Sequence, residues 1–302
     1  MALSCILRWV GPFAFAFYFA QVSALWAQIP QIAHYRFEGD GIDSTGNSAP
    51  MNLFNVSFHD GALVLSDGGT NGLYLAHAHI DDFSYESFTV GLDFRSAGVA
   101  YPYSTILSGG PLYRWLGLET DPDGHLLLTL NNTSYVYPFK NIISTGQWHT
   151  VVCTVDWPSR SAFVYLDGKM LAPVALPGTQ FNVVGTPEEA SSRTFTFWNG
   201  GNASHFVGYA DNLRVFARAL SNAEISDIFA PKVEVLAAGE NIVINWSADL
   251  TGYWLESNSL VSATNGWVRS PGTPAILGNR KIIIERATAD PRYFRLSRRV
   301  SE

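Results

Sequence analysis

Between Ile32 and Phe216 no apolar period is long enough for an amphipathic helix of ten residues, and that constrains the fold most. Short alternating runs recur instead. Ser87-Phe88-Thr89-Val90-Gly91-Leu92-Asp93-Phe94 sends every second residue to one face. Comparable runs are Ile32–Phe37, Gly61–Leu65, Gly72–Leu75, Ser104–Leu107, Tyr113–Glu119, His125–Leu130, Gln147–Asp156, Ser161–Leu166, Thr194–Trp198 and Phe206–Phe216. Turn formers separate them, among them Asp121-Pro122-Asp123-Gly124 and Asp167-Gly168. About a dozen strands with so little helix predict an all-β, antiparallel sandwich or jelly roll.

One helix is expected, and its start is unusually well marked. Gly208–Phe216 alternates as a strand, and Ser221 can then cap a short helix. Glu224 can return the bond in a capping box, Leu220 and Ile225 can form the hydrophobic staple, and Pro231 ends the helix. The chain changes character there, so one domain is expected over 28–230 and a small β-module over 231–302.

The first 27 residues differ from the rest. Arg8 precedes an apolar run, Trp9–Ala20, too short to span a bilayer. Small residues at Ala24 and Ala27 suit cleavage, so a signal peptide and a secreted, extracellular or periplasmic protein with no membrane span after cleavage are expected. Cleavage would leave Cys153 alone, read as a buried, inert thiol. An exported chain without a disulfide must then rely on its core or on a metal. Residues 28–230 hold 9 Lys/Arg against 19 Asp/Glu, which makes nucleic acid a poor partner, because phosphate binding needs basic clusters. Residues 231–302 hold 9 against 7, and the basic tail Arg292–Arg299 reads as a solvated strand edge, with a charge-driven contact as the alternative.

Five stretches in order carry a resemblance. They are His34–Asp40 with Asp43–Asn47; Ser87–Val90; Gln147–Val152; Val164–Lys169; and Asp211–Phe216 running through Arg218–Ile225. Together they resemble the laminin-G-like, pentraxin-like branch of the concanavalin A-like lectin/glucanase jelly rolls over roughly 33–230. The resemblance implies a jelly-roll sandwich closed by one short helix. It also implies that the loop after the first strand lies beside the last strand, and that an acidic residue usually follows the Asp of that strand. Here that position is Asn212. After Pro231, short strands about ten residues apart, with Trp246, Leu255-Glu256, Gly266-Trp267 and Tyr293–Leu296 as landmarks, resemble a small fibronectin-III-like module of secreted bacterial proteins.

Candidate chemistry falls into four groups. Glu38, Asp40, Asp43 and Asn47 on a Gly-rich loop offer the oxygens that Ca²⁺ prefers, and the resemblance adds Asp211 as the closing ligand of a structural site. Glu119, Asp121 and Asp123 superficially resemble a glycosidase carboxylate strand, but Pro122 and Gly124 make a turn that splays them, so no catalytic residue is assigned. His77 and His79 share a strand face without an evident third ligand, and His149 corresponds to a packing histidine of the family. Tyr103, Tyr113, Trp115 and Trp198, in or beside loops, are the candidate sugar platform. Three functions follow: a non-catalytic module binding carbohydrate or an extracellular partner; a carbohydrate-active hydrolase or lyase on the same scaffold; or a structural, adhesive surface protein.

Overall fold

Alternation dictates two faces for every strand, and two antiparallel sheets bury theirs against each other. The computed structural model describes residues 30–66, 75–80, 82–83, 86–98, 104–109, 115–131, 133–136, 142–171, 173–176, 193–198, 206–229, 231–248, 250, 252–260, 266–278 and 280–298. The first sheet runs β13 (Lys169–Met170), β12 (Ser161–Leu166), β11 (Trp148–Asp156), β6 (Ser87–Gly98), β16 (Val207–Phe216), β4 (Ala62–Leu65), β3 (Ser57–His59). On it, β1 (Ala33–Tyr35) pairs with β16 and β14 (Val174–Ala175) with β12. The second runs β10 (Thr133–Val136), β9 (Leu126–Leu130), β8 (Leu116–Thr120), β7 (Ser104–Gly109), β15 (Thr194–Trp198), β5 (Leu75–His79), β2 (Asn52–Phe54).

Between the sheets lie Phe88, Val90, Leu92 and Phe94 of β6, Val151, Cys153 and Val155 of β11, and Leu116, Leu118, Leu128 and Phe195 opposite. Each such side chain contributes about 1.5–3 kcal/mol on burial. Cys153 is fully buried, as expected, and desolvation pushes its thiol up to about 12. The first strand is shorter than its apolar run because Phe37 is left-handed at φ 54°. Asp167 and Gly168 both have positive φ, as a tight hairpin turn requires.

The one helix among the described residues, α1 (Asn222–Phe229), forms as the sequence dictates. Ser221 N donates to Glu224 Oε2 at 2.8 Å, and Glu224 N donates back to Ser221 Oγ at 3.4 Å. Leu220 and Ile225 are both buried. Phe229 lies directly over Gly91, where an added Cβ would stand 2.0 Å from the ring.

Residues 231–298 build two further sheets. One runs β17 (Glu234–Ala238), β18 (Asn241–Ser247), β22 (Arg280–Arg286), β21 (Ala275–Leu277); the other runs β20 (Val268–Arg269), β19 (Tyr253–Asn258), β23 (Tyr293–Arg298). Ile244, Trp246, Leu250, Leu255 and Ile283 form their separate core. Gln31–Glu302 nonetheless cluster as one compact unit.

Candidate functional site

Residues of the first sheet that miss the core point to its outer face. On β6 these are Thr89, Gly91, Asp93 and Arg95. Asp93 sits directly across from Asp211 of β16. Two residues of β16 then oppose one of β6, a bulge centred on Asn212 at φ 51°. Asparagine tolerates that left-handed conformation better than most residues. The bulge turns the Asn212 amide so that Nδ2 donates to Asp93 Oδ2 at 3.1 Å and to Asp211 Oδ2 at 3.2 Å. An acidic residue could not donate to either. Thr150 Oγ1 donates to Asp93 Oδ1 at 2.6 Å.

The cation for this pair comes from the C-terminal module. Arg298, last in β23, puts Nη1 on Asp93 at 2.7 Å and Nη2 on Asp211. The side chains of Arg298 and Asp211 are 7% and 0% exposed. Burial pushes the Asp211 carboxyl well up, against the pull of Arg298 and with the push of Asp93. Burial also opposes the Arg298 charge, but Asp93 and Asp211 outweigh it and hold the guanidinium above its ordinary value. The tail Arg292–Arg299 was expected to be a solvated edge; at Arg298 it is a buried ion pair, because β19 and β23 carry it onto the outer face.

Above the ion pair lies a cleft of about 270 Å³. Its walls include Trp148, Tyr209 and Arg95 from the first sheet, and Tyr253, Trp254 and Arg269 from the C-terminal module. Guanidinium groups and rings interleave there. Arg95 lies 4.1 Å from the Tyr209 ring, Arg298 3.6 Å from Trp148, and Arg269 4.5 Å from Trp254. Burial and the nearby Asp93 push the Tyr253 phenol up to about 12. His59, last in β3, and Asp60, in the turn after it, close one side.

The expected calcium ligands are placed differently. The Asp43 carboxylate accepts from the backbone N–H of His34, Thr45, Asn47 and Ser48 and from Thr45 Oγ1, at 2.6–3.0 Å. Five donors exceed the roughly four lone-pair sites a carboxylate offers. Asp40 caps Ile42 N, and Asn47 Nδ2 donates to Gln31 O. Glu38 is exposed, with its carboxylate against Gly61. Asp211 faces N–H donors, whereas a metal needs acceptors around it. As folded, the set does not fit a calcium ion. Among the described residues no three His, Cys, Asp or Glu side chains gather as a metal would require.

Of the four aromatic candidates, Trp115 is placed away from a sugar platform. Trp115 is 5% exposed and packs on Phe83, Phe88 and Phe195, because Gly109 leaves room for its ring. It belongs to the core. Tyr103 and Tyr113 lie outside the described residues, and Trp198 is described only as the last residue of β15. The Asp121 turn closes as expected, Gly124 N donating to Asp121 O at 2.9 Å, while Glu119 turns aside to Thr105. His149 packs on Phe94 and contacts Asp167. His77 meets Asn52.

The laminin G model of the concanavalin A-like lectin/glucanases superfamily matches residues 67–226. The chain belongs to this family. Its jelly roll also resembles solved structures. Domain 4 of AbnA, an extracellular arabinanase of Geobacillus stearothermophilus solved with arabinotriose, is 23% identical, with TM-score 0.50, covering 65% of this chain and 97% of that one. The binding domain of botulinum neurotoxin serotype D/C is 16% identical, with TM-score 0.53, covering 87% and 73%. A further botulinum D/C binding domain, solved with rat synaptotagmin II, is 15% identical, with TM-score 0.52. Such likeness establishes the fold. A comparison with curated protein sequences finds no match. No helix among the described residues is long and apolar enough to cross a membrane.

In this laminin-G-like chain, the residues that sequence reasoning missed are Asp93, Arg95, Trp148, Arg298 and the aromatic pair Tyr253-Trp254. The signal for Asp93 and Arg95 was present, since the β6 alternation already puts two charges on the face opposite four core residues.

Proposed function

We propose that this chain is a secreted, non-catalytic binding module that captures a carbohydrate or an extracellular protein, with the outer-face cleft as its site. The cleft carries the reading. It combines four aromatic rings with guanidinium groups held in fixed directions, and such amphipathic, pre-organised walls suit saccharide and peptide ligands. The family supports the same view, as do fold relatives whose reported complexes hold arabinotriose and synaptotagmin. A glycosidase would need two convergent carboxylates; Asp60 is the single carboxylate among the lining residues, and Asp93 and Asp211 beneath are held by Arg298. Export would follow from the apolar segment before Ala27, and division into residues 28–230 and 231–302 from the two separate cores.

The test is a glycan array, arabino-oligosaccharides included, run with a polysaccharide-degradation assay on the same protein. Binding without turnover, abolished by Trp254→Ala, supports the proposal. Turnover would instead make the chain a hydrolase or lyase. Silence in both assays, with no protein ligand captured, would leave a structural, adhesive role.

A further inference from the structure

We propose that Arg298 is a built-in cation for the jelly roll: the C-terminal module supplies, as a tethered guanidinium, the positive charge that two buried carboxylates need, in place of a divalent ion. This makes 231–298 an integral part of the fold and one wall of the cleft. The inference rests on the ion pair and not on the binding proposal, so each can fail alone.

Asp93 and Asp211 place two acids side by side. They are direct cross-strand partners in the middle of a sheet, and Asp211 is fully buried. Like charges directly opposite one another repel, and a buried carboxylate is tolerated only when a cation and hydrogen bonds compensate it. The neighbouring cations on the same face have partners of their own. Arg95 stacks on Tyr209 and Trp148. Arg214 donates to Ile228 O at the end of α1 and to His34. Arg298 reaches both carboxylates, one nitrogen to each. A planar guanidinium can bridge two acceptors in this way, whereas an ammonium is a point charge.

The surroundings are organised for a guanidinium. Tyr253 is the cross-strand partner of Arg298 and fixes where β23 delivers it. Trp148 lies over its cationic plane at 3.6 Å. Asn212 completes the shell with amide donors. Arg298, Asn212 and Thr150 all approach the two carboxylates as donors, and a divalent ion would have to displace them.

Thermal melting of the full chain decides the matter. Wild type, Arg298→Ala and Arg298→Lys are melted in EDTA and in millimolar CaCl₂. The wild type is expected to melt at one temperature in both. Arg298→Ala should melt lower by on the order of 10 °C, and Arg298→Lys should recover only part of the loss. Removing both acids along with the cation, in D93N/D211N/R298M, should restore stability above that of R298A, because no buried charge is then left uncompensated. If R298A fails to fold, the triple variant must fold for the proposal to stand. A wild type that loses stability in EDTA, an R298A that melts like wild type, or a triple variant no better than R298A would each overturn it.

Discussion

Two different covers protect the outer face of the first sheet. At one end α1 lays Phe229 over Gly91 and against Phe216, with an interplanar angle of 69°. At the other end the C-terminal module covers Asp93, Asp211 and Trp148 with Arg298, while Arg95 of the sheet itself stacks on Tyr209. The first cover is apolar and local: the helix follows its strand within six residues. The second is ionic and comes from 87 residues beyond Asp211. An apolar cover tolerates small errors of placement, because burial has no direction. An ionic cover does not, since a carboxylate left without its partner remains buried and charged.

The largest expected effect comes from breaking the ionic cover. Arg298→Ala should cost about 3–5 kcal/mol, the range for removing one partner of a buried pair, measured by denaturant unfolding. A smaller loss should follow at Asp43, another buried carboxylate. Asp43→Ala orphans several N–H donors of its own loop, at about 1–3 kcal/mol for an unsatisfied group, and hydrogen exchange should show the damage concentrated in residues 31–51. Its contrast with Arg298→Ala, whose effect should reach β6, β16 and β23 together, separates a local carboxylate from a tertiary one.

The apolar cover should yield less. Gly91→Ala drives a methyl group into the Phe229 ring and should cost about 1–3 kcal/mol, with α1 displaced. Ser221→Ala removes the helix cap and should cost about 1 kcal/mol. The smallest effect is on acid stability. Hydrogen bonds from Arg218 and then Ser221 hold the Glu224 carboxyl down at about 2, below its ordinary 4.5. A depressed carboxylate stabilises the fold above its unfolded pKa and loses that contribution as pH falls through its folded value. Glu224→Gln should therefore flatten a shallow loss of stability between about pH 4.5 and 2, an effect kept small by solvent screening.

The apolar half of this molecule was readable in advance because its signals are local. Ser221 to Glu224 spans three residues, and β6 and β16 alternate within ten or so. The closing helix, the sandwich and the restart after Pro231 all rest on such short periods. The errors share one cause. Asp43 looks like a ligand until its own loop folds around it. Trp115 looks like part of a loop until Gly109, six residues earlier, makes room for its ring.

What the sequence by itself determined is the all-β sandwich, its capped closing helix and the β-rich character of both segments, because period and turn chemistry act over a few residues. What only the tertiary structure decided is where the charges go. The partner of Asp211 is chosen by the packing of β23 against the outer face, and a polar side chain carries no mark in sequence of whether it will meet water or a buried opposite charge. Arg298 stands among three other arginines of its tail, and nothing but its position at the end of β23 singles it out.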